Sequence, residues 1–257
     1  MSTTEGLAYQ RLSKMLKNPA VETICDYGCG DGKLLSQLAK KFPQKSFLGV
    51  DTFSQWSPDK VPKDDENIRF VDRFSKSFDE LAQNERFDII STVCTVHHFT
   101  LPITEVRLLE ALLHPQKGKL LLIDFAFSNN QEGERVKNLL SYTSEMTSAF
   151  IGGHHRHHYK LDELKDLLSA TTLVIEEAQL VNEPATDEEL IDAKERARKH
   201  VARIKRRISE IKDGKAIQRC LNRLLEENSH LIEELPVDYS SILIVLASVP
   251  FNQLRSS

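Results

Sequence analysis

The stretch CDYGCGDGKLL, residues 25–35, gathers three glycines, two cysteines and two aspartates. Cys25 and Cys29 stand three residues apart, and no Cys or His pair at finger spacing follows, so no metal is expected there. The glycines Gly28, Gly30 and Gly32 run G-x-G-x-G rather than the G-x-G-x-x-G of a pyrophosphate turn. Asp26 sits directly before them. Its carboxylate would repel a pyrophosphate and attract a cationic amine. Glycine lets a backbone approach such a ligand closely and adopt positive φ. Asp51 ends the next apolar run, KSFLGVD, where a carboxylate can accept both hydroxyls of a ribose.

These groups need elements to hold them. Residues 21–27, 45–51, 67–74, 87–96, 117–127, 171–181 and 240–249 read as strands. Residues 33–42, 103–113 and 161–170 carry helical apolar spacing, the first stopped by Pro43. A further helix is predicted over 133–150. Strands alternating with helices predict an α/β protein with a parallel sheet that binds its ligand at the carboxyl ends of the strands. Pro58 and Pro62 argue against a crossover helix between the second and third strands. The first glycine turn therefore lies where a ligand belongs. An amine, a ribose and adenine without phosphate describe S-adenosylmethionine.

DYGCGDG followed by GVD resembles motifs I and II of the class I S-adenosylmethionine-dependent methyltransferases. FDIISTVCTVHHF is similar to the fourth-strand motif of their small-molecule subgroup, of the type 11/12 kind, and LLHPQKGKLLLID to the turn and fifth strand that follow. The resemblance spans roughly residues 8–181 and the last strand. It implies a doubly wound, mostly parallel, seven-stranded Rossmann-like sheet with a reversed last strand, and direct SN2 methyl transfer. It also implies that Asp26, Gly28, Cys29 and Gly30 hold the methionine portion and Asp51 the ribose. Thr52 and Phe53 would flank the adenine, Asp72 and Arg73 would meet its edge, and Val93 and Cys94 would line the sulfonium side.

His97 and His98 follow the fourth strand, beside the expected transfer site. A near-neutral pKa suits general-base work, and His98 is the candidate catalytic residue. A structural histidine bonded to a loop is the competing reading, since methyl transfer can run on proximity alone. His97, His155, Arg156 and Tyr159 are the candidate substrate contacts. The last three belong to the cluster IGGHHRHHYK, which also reads as a solvated loop.

Residues 183–236 separate the sixth strand from the last and predict a helical hairpin inserted into a core of 1–182 and 237–257. Its seam is expected at Ala197, Val201, Ile204, Ile208 and Ile211, and at Ile217, Leu221, Leu224, Asn228, Leu231 and Leu235. The first helix is strongly basic. A solvated hairpin, a homodimer contact or lid, and an RNA-binding arm all fit, and the lack of aromatics gives no signal for base stacking.

Composition bounds the rest. The chain's 257 residues are 40% hydrophobic, enough for a sizeable core. The net charge of −4 gives no whole-protein field for nucleic acid. Four cysteines without a paired framework fit a reducing compartment, and a cytoplasmic location is expected. No run approaches a membrane span, so no membrane partner is expected. A small-molecule substrate is favoured; an RNA methyltransferase or a noncatalytic S-adenosylmethionine-binding scaffold are the alternatives.

Overall fold

The computed structural model describes residues 3–55, 58–127, 132–152, 157–182, 187–212, 214–235, 237 and 241–250. Seven strands, β1 (Thr23–Tyr27), β2 (Ser46–Asp51), β3 (Ile68–Asp72), β4 (Ile89–Val93), β5 (Lys119–Phe125), β6 (Val174–Asn182) and β7 (Ser241–Ser248), form one sheet in the order β3-β2-β1-β4-β5-β7-β6. All neighbours pair parallel except β7, which runs antiparallel to both β5 and β6. The order reverses between β1 and β4, which opens a crevice at their carboxyl ends. This is the α/β arrangement the alternating pattern predicts, with the reversed last strand that the resemblance implies.

The central strands read as apolar runs because helices cover both their faces. α1 (Thr3–Leu16) and α2 (Lys33–Lys41) bury Ala8, Leu12, Leu35 and Leu38 on one face against Ile24, Ile89 and Leu121. On the other face α3 (Lys76–Asn84), α4 (Pro102–Leu112) and α6 (Leu161–Leu168) bury Phe78, Leu109 and Leu164 against Cys25, Ile90 and Leu122. Between β2 and β3 the chain makes two single 3-10 turns, Phe53–Gln55 and Pro58–Lys60, in place of a crossover helix. α1 and α3 lie outside the sequence expectation. Both carried a signal: buried Thr4, Ala8, Leu12 and Leu16 repeat every four residues, and Ser75 accepts the Phe78 N–H as an N-cap.

A third core lies apart from the sheet. α5 (Glu132–Phe150) packs against a hairpin of α7 (Asp187–Ser209) and α8 (Lys215–Glu234). Val136 and Leu140 of α5 meet Ala193, Ala197, Ile204, Ile208, Leu221, Leu225 and Ile232. The α8 seam thus falls on Leu221, Leu225, Asn228 and Ile232, a correction to the expected Leu224 and Leu231, which are only half-buried. The shift has a physical cause: α8 faces two helices, α7 and α5, so its buried stripe is wider than a two-helix seam.

Candidate functional site

The turn after β1 is tied down by main-chain bonds. Gly28 N–H and Cys29 N–H both donate to the Val50 carbonyl of β2, at 2.7 and 3.1 Å. Gly28 sits at φ 84°, and a Cβ there would meet the Thr95 side chain at 2.2 Å, so the position excludes every other residue. Gly30, at φ 57°, has nothing within 4 Å of such a Cβ; its backbone faces open space. That space is a cavity of about 1160 Å³ at the carboxyl ends of β1, β2 and β4.

Among the described residues, Asp26 and Asp51 are two of the five carboxylates that line it. Asp26 is buried and accepts the Ser91 hydroxyl at 2.7 Å. Burial pushes its pKa up to about 7; the Ser91 bond works against this, and the charge of Asp51 adds to it. Asp51 is oriented by Gly30 N–H at 2.8 Å on one oxygen and Thr52 N–H at 2.7 Å on the other. Each oxygen keeps further acceptor capacity for a diol. Thr52, Arg73, Val93, Cys94 and Cys29 also line the cavity. Phe53 and Asp72 do not appear on its wall. Phe53 is buried edge-on against Phe70, and Asp72 binds the N–H groups of Ser54 and Phe74, holding the loops that frame the pocket.

Several wall residues were not among the sequence candidates. Tyr27 Oη donates to Glu105 at 2.5 Å and accepts from Arg73 Nε, while the Arg73 guanidinium lies 4.6 Å from the Phe78 ring centroid and 3.6 Å from Glu105. Burial and the Glu105 charge push the Tyr27 hydroxyl far up, so it stays a donor. Glu5 of α1 also reaches the cavity. Tyr27 stands inside DYGCGDG, but Glu5 and Glu105 belong to no short motif; only the fold brings α1, β3 and α4 to one place.

Cys94, at the end of β4, has φ 53°, an uncommon conformation for a residue with a side chain. Its N–H still donates to Ile123 of β5, so the strained residue turns the chain into the cavity wall while the sheet ladder persists. Cys94 is half-buried and desolvation raises its thiol pKa well above the usual range, which makes it an inert wall rather than a nucleophile.

The two histidines after β4 part ways. His98 is exposed and lines the cavity beside Thr95 and Thr100. His97 is buried, its Nδ1 at 2.9 and 3.0 Å from the two carboxylate oxygens of Asp124 at the end of β5. The rings of His97 and His98 lie 4.1 Å apart, and His158 packs on His97 at 5.1 Å. His97 therefore supports the wall from behind instead of lining it. Tyr159 is likewise buried, bridged to Ala126 beside β5, and is not on the cavity wall. His155 and Arg156 lie outside the described residues; Gly152, just before that segment, lines the cavity. Among the described residues no cluster of His, Cys, Asp and Glu could hold a metal ion.

The methyltransferase domain family matches residues 4–178. No curated protein matches the chain. Among solved structures, a cyclopropane-fatty-acyl-phospholipid synthase-like protein from Lactobacillus casei superposes with a TM-score of 0.70 at 14% identity, over 95% of this chain and 90% of that one. A methyltransferase candidate from Bacillus halodurans gives 0.57 at 16% identity, over 94% and 98%. The plantazolicin methyltransferase BpumL, solved with SAH, gives 0.52 at 16% identity, over 96% and 85%. At such identities the neighbours speak for the fold, and the family match covers well over half of the sequence. The chain belongs to the methyltransferase domain family, with the fold of the class I S-adenosylmethionine-dependent enzymes.

Proposed function

We propose that the chain methylates a small-molecule acceptor with S-adenosylmethionine. The observation that carries this reading is one cavity shared by Asp26, the open backbone of Gly30, Asp51 and His98. The residues fit the cofactor: Asp26 would hold its ammonium, Asp51 its ribose diol, and Val93 and Cys94 would back the sulfonium. When bound, the cofactor supplies an electrophilic methyl group on a cationic sulfur. The chain's own part is alignment, exclusion of water and charge placement. The half-buried Tyr27–Arg73–Glu105 network fixes the wall toward β3 and α4. His98 is the one histidine of the pair facing the cavity, and it would orient the acceptor or take its proton. The Asp124–His97 pair behind it would limit the positions its ring can adopt. Residues 183–236 would form an appendage to the catalytic core rather than part of the cavity.

Calorimetry with S-adenosylmethionine and its demethylated product should show binding of both to the wild type. Asp51→Ala removes two charge-assisted hydrogen bonds and should weaken binding roughly ten- to a hundredfold. Incubation of a metabolite extract with methyl-labelled cofactor should then mark the acceptor. Absence of cofactor binding, or an unchanged affinity in the variant, overturns the reading.

A further inference from the structure

The hairpin projects from the end of the sheet where β5 ends, the end at which the cavity opens. Its roots, Asn182 and Ser241, are joined by a hydrogen bond, and Ser241 also binds Glu134 in the first turn of α5. Halfway along, the Asn228 amide donates to Thr143 of α5 at 2.8 Å. From Thr143 to the end of α5 is roughly 10 Å, but from Asn228 to the start of α8 is roughly 20 Å at the helical rise. The hairpin thus outreaches α5 at the end where Ile151 joins the third core and Gly152 lines the cavity.

The projecting tip is cationic. Residues 203–219 hold Arg203, Lys205, Arg206, Arg207, Lys212, Lys215 and Arg219 against two acids, in a chain of net charge −4. The ion pairs of the hairpin, Arg196–Asp192, Arg198–Glu233, Lys199–Glu195 and Arg223–Glu227, leave out these seven among the described residues. The field is felt locally: burial, with Arg203 and Arg207, lowers the pKa of half-buried His200 to about 4.

The cavity itself is bordered by exposed apolar side chains. Phe74, which lines the cavity, is 69% exposed; Leu101, next to the lining residue Thr100, is 62% exposed; Phe150, two residues before Gly152, is 51% exposed. Tyr142 and Met146 continue the Phe150 stripe along α5 at spacings of four, and Ile103 extends the Leu101 edge. Large exposed apolar side chains gathered at one place mark an interaction surface. Aliphatic and Phe side chains beside a basic patch match an anionic bilayer, where apolar groups enter the headgroup region and cations meet acidic lipids. RNA would call for aromatic platforms among the cations, and the tip, Arg203 to Arg219, has none.

We infer that the cationic hairpin tip and the apolar rim form one docking surface for an anionic lipid bilayer, with the cavity mouth turned toward it. Span length, the property read from the sequence, is blind to such a peripheral surface; no described helix is long and apolar enough to cross a membrane. The surface does not depend on which acceptor is methylated.

Flotation of the full chain with vesicles tests this. Vesicles containing phosphatidylserine should carry the protein at low salt and release it at high salt; pure phosphatidylcholine should carry little. R206E/R207E should lower partition roughly thirtyfold or more, with an unchanged melting temperature and cofactor affinity. Met146→Ser/Phe150→Ser should weaken binding that remains at high salt. Failure to float, equal flotation on neutral vesicles, or full binding by the double reversal overturns the proposal. So does an RNA homopolymer that binds the tip more tightly than the vesicles and displaces them.

Discussion

Asp26 faces two opposed demands. Buried without a cation, its carboxyl holds its proton up to about pH 7; next to an ammonium it should be ionised. The folded pKa lies above the unfolded value of 3.8, so Asp26 adds stability that is complete below about 3.8 and is lost as pH rises through 7. Cofactor affinity runs the other way. Binding selects the ionised form, and affinity should fall roughly fivefold between pH 7 and pH 6 as the protonated fraction grows. Calorimetry near neutral pH, in two buffers of different ionisation heat, should report proton release on binding. Asp26→Asn should abolish that release and flatten this part of the pH profile. A wild-type affinity independent of pH across this range would mean that Asp26 does not meet the amine.

At the scale of the element, α7 separates two kinds of residue that alternate along one sequence. Ile204 is 1% exposed in the third core, while its neighbours Lys205 and Arg206 are exposed. Ile204→Asp would place a carboxylate among apolar side chains, at a cost above the roughly 2–5 kcal/mol of an Ile→Ala truncation. Charge reversal at Arg206 and Arg207 breaks no ion pair among the described residues and should leave the melt within about a degree. Thermal melts of the two variants should therefore differ widely; equal melts would mean that α7 is not packed as described. The same alternation explains what was legible. Apolar spacing is local, so the hairpin and its α7 seam could be read from the sequence. The α8 stripe slipped to Leu225 and Ile232 because α5, distant in sequence, fills its other side. The glycine turn and Asp51 were legible for the same local reason, whereas Glu5 and Glu105 reach the cavity only through the packing of α1 and α4.

At the scale of the molecule, three cores meet at unequal strength. The two sheet cores share β1, β4 and β5, whose backbones are paired on both sides. The third core rests on helices alone and is held through α5, by Lys137 Nζ on the Ala126 carbonyl and by Asn228 on Thr143. Local opening follows the density of such ties. Amides of α7 and α8 should therefore exchange hydrogen faster than those of β1, β4 and β5, which should report the global unfolding free energy. Cofactor binding stabilises any region whose opening destroys the site. It should slow exchange in the turn after β1, in the first turns of α1 where Glu5 meets the cavity, and at the end of α5 beside Gly152. Among the described residues none of the hairpin tip lines the cavity, and the tip should exchange at the same rate with and without cofactor. If tip and cavity gained protection together, the hairpin would be a lid closing on the bound cofactor, and the bilayer-facing surface would have to be sought elsewhere.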